Sequence, residues 1–398
     1  MLNFNQKKLE SQLPSFFQDL LRELLDQGFQ VTLVGGAVRD FILAENLGTD
    51  WDIELSHHTI SFNLHQWKGL GKSLARFGRM TFLPYDVIRL ELNGHTLEFS
   101  PPRIEHFEEH LKEKGHKNFS VTFDFKLPFV DAVKRRDFTV NSMGLRFNSQ
   151  KDVEFMDPLD GLRHLREGTL MACGADFAKD PVRFLRALRF MRKFNLQPSP
   201  DLMLELKQMK VSGFSASYLW SEMQKSADPL NYYLDLLNWL EVHPELALPV
   251  REELAFKSEE LKKILKHPAH HEAWMIALSW VGINPESWQL YFAQSSESAR
   301  RLSRWASETH FFQTILPETF HGEFDSIKEK PEFQKLFDWY FSTKQILQKY
   351  PQLPLLSMIE NYLPDWIHLY RFEPVKDVKH IDPPLRAKYQ VWNLCQRL

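Results

Sequence analysis

Two glycines between a strand and a helix, followed by two aspartates on a second strand, constrain this chain more than any other stretch. Residues Leu33 to Leu55 read LVGGAVRDFILAENLGTDWDIEL. An apolar, β-prone run from Phe29 to Val34 stops at Gly35 and Gly36. A helix-prone segment follows from Ala37 to Ala44, and Trp51 to Leu55 alternates as a strand. Glycine at a strand-to-helix junction lets backbone N–H groups approach an anion, as a phosphate-binding turn requires. Asp50 and Asp52 are two apart, so an extended backbone points both carboxylates to one face. Side by side they repel, and neither has an evident partner in sequence. A divalent cation between them removes that cost, and Mg²⁺ is the hard, oxygen-seeking candidate that also bridges nucleotide phosphates. The residues alone equally allow a structural turn and an exposed strand.

Further along, Arg79 to Leu83, Val87 to Leu92 and Thr96 to Phe99 alternate as strands, with Asn93 and Gly94 as a hairpin turn, so a small mixed sheet with helices is expected. Glu98 lies on the last of these strands, ahead of Arg103. It is a third carboxylate for the metal, and Glu54, which continues the face of Asp50 and Asp52, is its rival. From Glu105 to Val130 the chain is polar before the patch NFSVTFDF, which predicts a flexible loop. Lys134 to Met143, KRRDFTVNSM, offers guanidinium forks from Arg135 and Arg136 and polar groups from Asp137 and Asn141. DPLDG, Asp157 to Gly161, is turn chemistry, with Asp157 a cap for the segment after it. In KDPVRFLRALRF, Lys179 to Phe190, Asp180 suits a helix N-cap. Arg183, Arg186 and Arg189 recur every three residues as a slow spiral, which by periodicity is a basic solvent face.

The order GGxVRD, DxD, KRRDFTVNSM, DPLDG and KDPVR resembles the signatures of the class II tRNA nucleotidyltransferases (CCA-adding enzymes) and bacterial poly(A) polymerases, of the polymerase-β-like superfamily. The resemblance covers the first half of the chain. It implies Asp50, Asp52 and Glu98 as catalytic carboxylates on Mg²⁺, and Gly35, Gly36, Arg39 and Arg136 as triphosphate ligands. Asp137 and Asn141 are implied near the ribose, Asp180 and Arg183 on the Watson–Crick edge of the base, and Arg186 or Arg189 on phosphates. An acceptor beside a donor suits the amino group and ring nitrogen that cytosine and adenine share. Two departures are Ser142 where alanine is usual and Lys179 where the family has glutamate. The segment from Glu105 to Val130 sits where family members carry a mobile loop, which argues against C-only addition. The implied substrates are tRNA lacking its CCA end, CTP and ATP. Poly(A) synthesis and A-only addition stay open, and no obligate protein partner is implied.

A formal charge of −3 restricts any nucleic-acid surface to local patches. Cys173 and Cys395 make no metal or redox motif, and the longest uncharged apolar run, Ala273 to Ile283, is too short to span a bilayer, so a cytoplasmic, non-membrane protein is expected. The start, MLNFNQKKLESQL, has no signal-peptide core. Lys8 to Gln27 carries one helical period ending at Gly28, and Phe62 to Phe77 another. Beyond Pro200 helical periods dominate. The expected organisation is an α/β nucleotidyltransferase head over residues 1–147, a neck with the base-reading helix over 148–226, and an all-α body and tail over 227–398 that grips RNA. HPAHHE, His267 to Glu272, is read as a helix start with surface histidines rather than a metal site. Trp339 to Lys349 is either an RNA-stacking surface or a core stripe.

Overall fold

The computed structural model describes residues 4–59, 62–107, 119–148, 152–211 and 216–246, with short pieces beyond, the longest being 354–362. Pro14 divides the predicted first helix. Leu13, ahead of the proline, is held out of helical backbone (φ −73°, ψ 115°), so the segment forms α1 (Gln6–Gln12) and α2 (Ser15–Asp26). Helix α2 buries Phe17, Leu20, Leu21 and Leu24 and runs out at Gly28, whose φ of +85° turns the chain into strand β1 (Phe29–Val34). Helix α3 (Gly36–Ala44) and strand β2 (Asp50–His57) follow. Helix α4 (Leu64–Leu74) starts at a reciprocal cap in which Asn63 accepts from the Gln66 N–H and Gln66 from the Asn63 N–H. Strands β3 (Arg79–Leu83), β4 (Val87–Leu92) and β5 (His95–Ser100) form the expected meander, with Asn93 and Gly94 both left-handed at the β4–β5 turn.

The segment predicted as a flexible loop is partly a strand pair. Arg103–Phe107 (β6) and Phe119–Phe123 (β7) form a separate antiparallel ribbon, in register from Arg103 with Phe123 to Phe107 with Phe119. RIEHF and FSVTF each alternate with period two, and pairing them satisfies backbone groups that a loop would leave to water. After helix α5 (Phe129–Ala132), β8 (Gly144–Phe147) and β9 (Val153–Met156) complete a mixed seven-stranded sheet of order β3-β4-β5-β2-β1-β8-β9. The β2–β5 pair is parallel and its neighbours are antiparallel. The sheet thus continues past Phe147, because β9 pairs with β8. One face of β2 is core: Trp51 meets Phe17 edge-on at 5.1 Å, and Ile53 and Leu55 are buried.

The Asp157 carboxylate caps α6 (Gly161–Glu167), accepting from the N–H groups of Gly161 (2.6 Å) and Leu162 (2.9 Å), as expected. Gly161 is required by close approach, since a Cβ there would stand 2.2 Å from the Thr139 carbonyl oxygen. The chain continues through β10 (Thr169–Leu170), α7 (Val182–Phe194), β11 (Gln197–Pro198), α8 (Pro200–Gln208), α9 (Ala216–Lys225) and α10 (Pro229–Asn238). In the neck, residues 148–226, the short strands β10 and β11 pair in parallel and bracket α7. Helix α10 packs on α7, where the buried Tyr232 hydroxyl donates to the Leu185 carbonyl at 2.9 Å. One apolar core runs from α1 through α10. Trp339 and Tyr340 are buried, which supports the core stripe over an RNA-stacking surface for these two rings. His267 to Glu272 lies outside the described residues. No helix among the described residues is long and apolar enough to cross a membrane.

Candidate active site

The second face of β2 carries the acids. Asp50, Asp52 and Glu54 share it, and the parallel register of β2 with β5 sets Asp50 beside Thr96, Asp52 beside Glu98 and Glu54 beside Ser100. Asp52 and Glu98 are therefore immediate neighbours, while Glu54, deeper and buried, faces Arg135 at 3.6 Å. The register favours Glu98 over Glu54 as the carboxylate beside Asp52. Glu98 is oriented by Arg89 on β4, whose Nε (2.9 Å) and Nη2 (2.6 Å) donate to Oε1. Solvent reaches Asp52 on this face, yet the surrounding protein desolvates its carboxyl and raises the pKa. Arg136, Arg135 and Arg186 oppose that rise and Glu98 adds to it.

A small apolar contact brings Arg136 to the acids. Val34, next to Asp52 in register, packs with Phe129 and Val133, so the turn carrying the KRRD sequence lies across this face. Gly35 occupies the gap between them with φ +78° and ψ −134°, a conformation open to glycine. A Cβ there would stand 3.1 Å from Arg136 Nη1 and 3.3 Å from Asp52 Oδ2. Gly35 also precedes the first turn of α3 and makes no side-chain cap, so the leading N–H groups of that helix remain for an anion. The buried Nε atoms of Arg135 and Arg136 have no hydrogen-bond partner among the described residues. The donor set of Asp50, Asp52 and Glu98 is all oxygen, which fits a hard divalent cation, although no group of three His, Cys, Asp or Glu among the described residues is drawn together as a ready metal cluster.

Arg136 also lines a cavity of about 450 Å³. Its walls include Asp180, Arg183 and Arg186 from the α7 region, Phe107 and Phe119 from the ribbon, and Tyr218 and Glu222 from α9. Asp180 is extended and its Oδ1 accepts from the Val182 N–H at 3.0 Å, so it caps α7 as expected, with the regular helix beginning two residues on. Arg183 is buried and aimed by carbonyls: Nη2 donates to Arg135 O (2.7 Å) and Nη1 to Asp176 O (3.3 Å). Its Nε lies 3.9 Å from Asp180 Oδ2. Lys179 pairs with Asp176 at 2.7 Å.

Five residues expected on the nucleotide are engaged inside the protein. Arg39 Nη1 donates to Asn141 Oδ1 (2.6 Å), Asn141 Nδ2 donates to Asp137 Oδ1 (2.9 Å), and Arg186 Nε donates to Asp137 Oδ2 (2.7 Å). The Arg39 guanidinium lies over the Phe194 ring at 4.3 Å, turned toward α7. Asp137 and Asn141 are thus employed on each other and on arginines, with little left for ribose hydroxyls. Burial alone would raise the Asp137 carboxyl, but Arg186, Asn141 and the Phe138 N–H outweigh it and hold the pKa at about 2. Arg189 is buried against Glu222 (Nε to Oε2, 2.5 Å). The arginine spiral of α7 does not form a basic solvent face as a whole, since Arg183 and Arg189 are both buried. Sequence reading missed Arg89, Tyr85, Phe107, Phe119, Tyr218 and Glu222. Of these only Arg89 carried a signal, lying on the strand that the Asn93–Gly94 turn folds against Glu98.

Residues 31–171 match the family model of the poly A polymerase head domain, which bears out the resemblance read from the motifs. A curated relative, the multifunctional CCA protein of Xanthomonas oryzae pv. oryzae, is 28% identical over 208 residues, covering 50% of this chain and 45% of that one. The chain spans under half the length of the first curated relatives it matches. Among solved structures, the Thermotoga maritima CCA-adding enzyme complexed with tRNA has the same fold, with a TM-score of 0.51 at 19% identity over 80% of this chain and 74% of that chain. A CCA-adding enzyme in complex with CTP gives a TM-score of 0.52 at 19% identity over 78% and 74%.

Proposed function

We propose that this chain adds CMP and AMP, from CTP and ATP, to the 3′ end of tRNA lacking its CCA terminus, releasing pyrophosphate. The observation that carries the reading is Asp52 standing beside Glu98 on one side and, across Gly35, beside Arg136 on the other. A carboxylate pair next to a guanidinium and a helix N-terminus suits a triphosphate whose α-phosphate is attacked by an RNA hydroxyl. Asp50, Asp52 and Glu98 would hold Mg²⁺, which when bound neutralises charge on the reacting phosphates. Gly35 and Gly36 bring backbone N–H groups to the triphosphate and Arg136 supplies charge. Arg186, fixed by Asp137, faces the cavity beside them.

Base choice rests on Asp180 and Arg183. Both line the cavity, and both are held by backbone groups that fix their direction. An acceptor beside a donor pairs with the amino group and ring nitrogen of cytosine or adenine and mismatches guanine and uracil. The helical region beyond Ser226 is the natural grip for the RNA. The relatives' names and the solved tRNA and CTP complexes support tRNA as the acceptor. A second reading, poly(A) synthesis, is favoured only by the description of the matched head domain.

The test is incubation of the protein with tRNA transcripts ending before, within and after CCA, one labelled triphosphate at a time, beside an Asp52→Ala control. Ordered incorporation of C, C and A that stops at CCA, lost in Asp52→Ala, is expected. Open-ended runs of A would support the polymerase reading, and no incorporation would refute both.

A further inference from the structure

The turn between β3 and β4 has two consecutive left-handed residues, neither of them glycine: Tyr85 (φ +60°) and Asp86 (φ +54°). Such backbone is costly and persists where surrounding contacts over-determine it. Here the fully buried Trp67 supplies one such contact, its indole Nε1 donating to the Asp86 carbonyl at 2.7 Å. The result is a fixed turn that presents Tyr85 toward the β6–β7 ribbon. The Tyr85 ring stacks on Phe119 of β7 (5.1 Å, 21°), and Arg103 of β6 places its guanidinium 5.2 Å from the same ring centroid. One side chain therefore touches both strands of a ribbon that is hydrogen-bonded to no other strand among the described residues.

Tyr85, Arg103, Glu105, Phe107 and Phe119 all line the cavity that carries Asp180 and Arg183. Arg103 continues inward, donating to Glu105 (2.9 Å), which faces Arg135 at 3.8 Å, whose carbonyl in turn accepts from Arg183. The ribbon is thus a wall of the base site, and its position is communicated to the residue proposed to read the base.

We propose that Tyr85 is a positioning residue, a clasp that fixes the β6–β7 ribbon as a wall of the nucleotide cavity and so sets nucleotide affinity. The proposal rests on the nucleotidyltransferase reading of that cavity. The ring makes both contacts, so the hydroxyl is dispensable. The strained turn is held by Trp67 and stays in place when the ring is removed.

The experiment compares Tyr85→Ala with Tyr85→Phe by hydrogen exchange of the β6 and β7 amides and by steady-state incorporation. Losing one stacked pair and one cation–π contact should speed ribbon exchange about tenfold in Tyr85→Ala. The KM for CTP and ATP should rise, with kcat unchanged, by the factor by which the fraction of molecules with the ribbon in place falls, because apparent affinity scales with that competent fraction. Tyr85→Phe should match wild type in both measurements. Phe119→Ala should reproduce the exchange result from the ribbon's side. Unchanged exchange overturns the clasp, and a raised KM without faster exchange means that the ring meets the nucleotide directly, which overturns it also. Wild-type protein that adds no nucleotide while the exchange pattern holds would defeat the functional reading and leave the clasp standing.

Discussion

Replacing Asp137 by asparagine tests the buried network that joins the head to α7. Its carboxylate accepts from Phe138 N–H (2.8 Å) and Asn141 Nδ2 (2.9 Å) on Oδ1, and from Arg186 Nε (2.7 Å) and Nη2 (2.5 Å) on Oδ2. An amide has one acceptor, so whichever way it turns, an N–H₂ group confronts N–H donors. The carboxyl is drawn from an ordinary 3.8 to about 2. At ~1.4 kcal/mol per pH unit this is worth about 2 kcal/mol of stability at neutral pH. Because the folded pKa is depressed, that stability is complete above the unfolded pKa and is lost as pH falls through the folded one. Chemical denaturation of wild type and Asp137→Asn should therefore differ by about 2 kcal/mol or more from pH 7 to 5, and the difference should fall to about half by pH 3. A difference under about 0.5 kcal/mol at pH 7, or one that does not shrink toward pH 3, would refute the assignment of this carboxylate as an ionised hub.

Gly35→Ala should cost about 1 to 3 kcal/mol of stability through its backbone conformation, and should slow nucleotide addition about a hundredfold by displacing Arg136 and Asp52. Denaturation and single-turnover rates check the two effects. Asp180→Ala should relax discrimination against GTP and UTP by about tenfold to a hundredfold, more than it slows CTP use. Incorporation of all four triphosphates decides this, and uniform slowing would refute base reading by Asp180. Glu222→Ala should destabilise the protein by about 3 to 5 kcal/mol by leaving the buried Arg189 charge without its partner, as urea titration would measure.

Local chemistry made much of the fold legible in the sequence. The bounds of β1 follow from an apolar run ended by two glycines, and those of β3 and β4 from alternating runs, the second of them ended by the Asn93–Gly94 turn. The acids were legible as a face because period two needs no tertiary information, and Glu98 was legible as a candidate only. Its choice over Glu54 depended on a β2–β5 register that no local rule supplies. The arginines of α7 misled for a related reason. Spacing describes a helix surface, whereas burial of Arg189 depends on Glu222, 33 positions away, and the use of Asn141 by Arg39 on a contact across 102 positions. The α1–α2 break is different, since Pro14 marks it in the sequence while the apolar period runs unbroken across it.

The arginine spiral of α7 also orders events during synthesis. Arg183 and Arg186 find their partners, the Arg135 carbonyl and Asp137, in chain made before them. Arg189 must wait for Glu222, and Arg192 for Asp235, which takes it with two bonds of 2.5 and 2.7 Å. A nascent chain halted after α8 would hold a half-secured helix, its first two arginines seated in the head and its last two still facing water. The head can close on its acids while the ribosome is still making the neck, and each later helix, on emerging, locks one further turn of α7 in place.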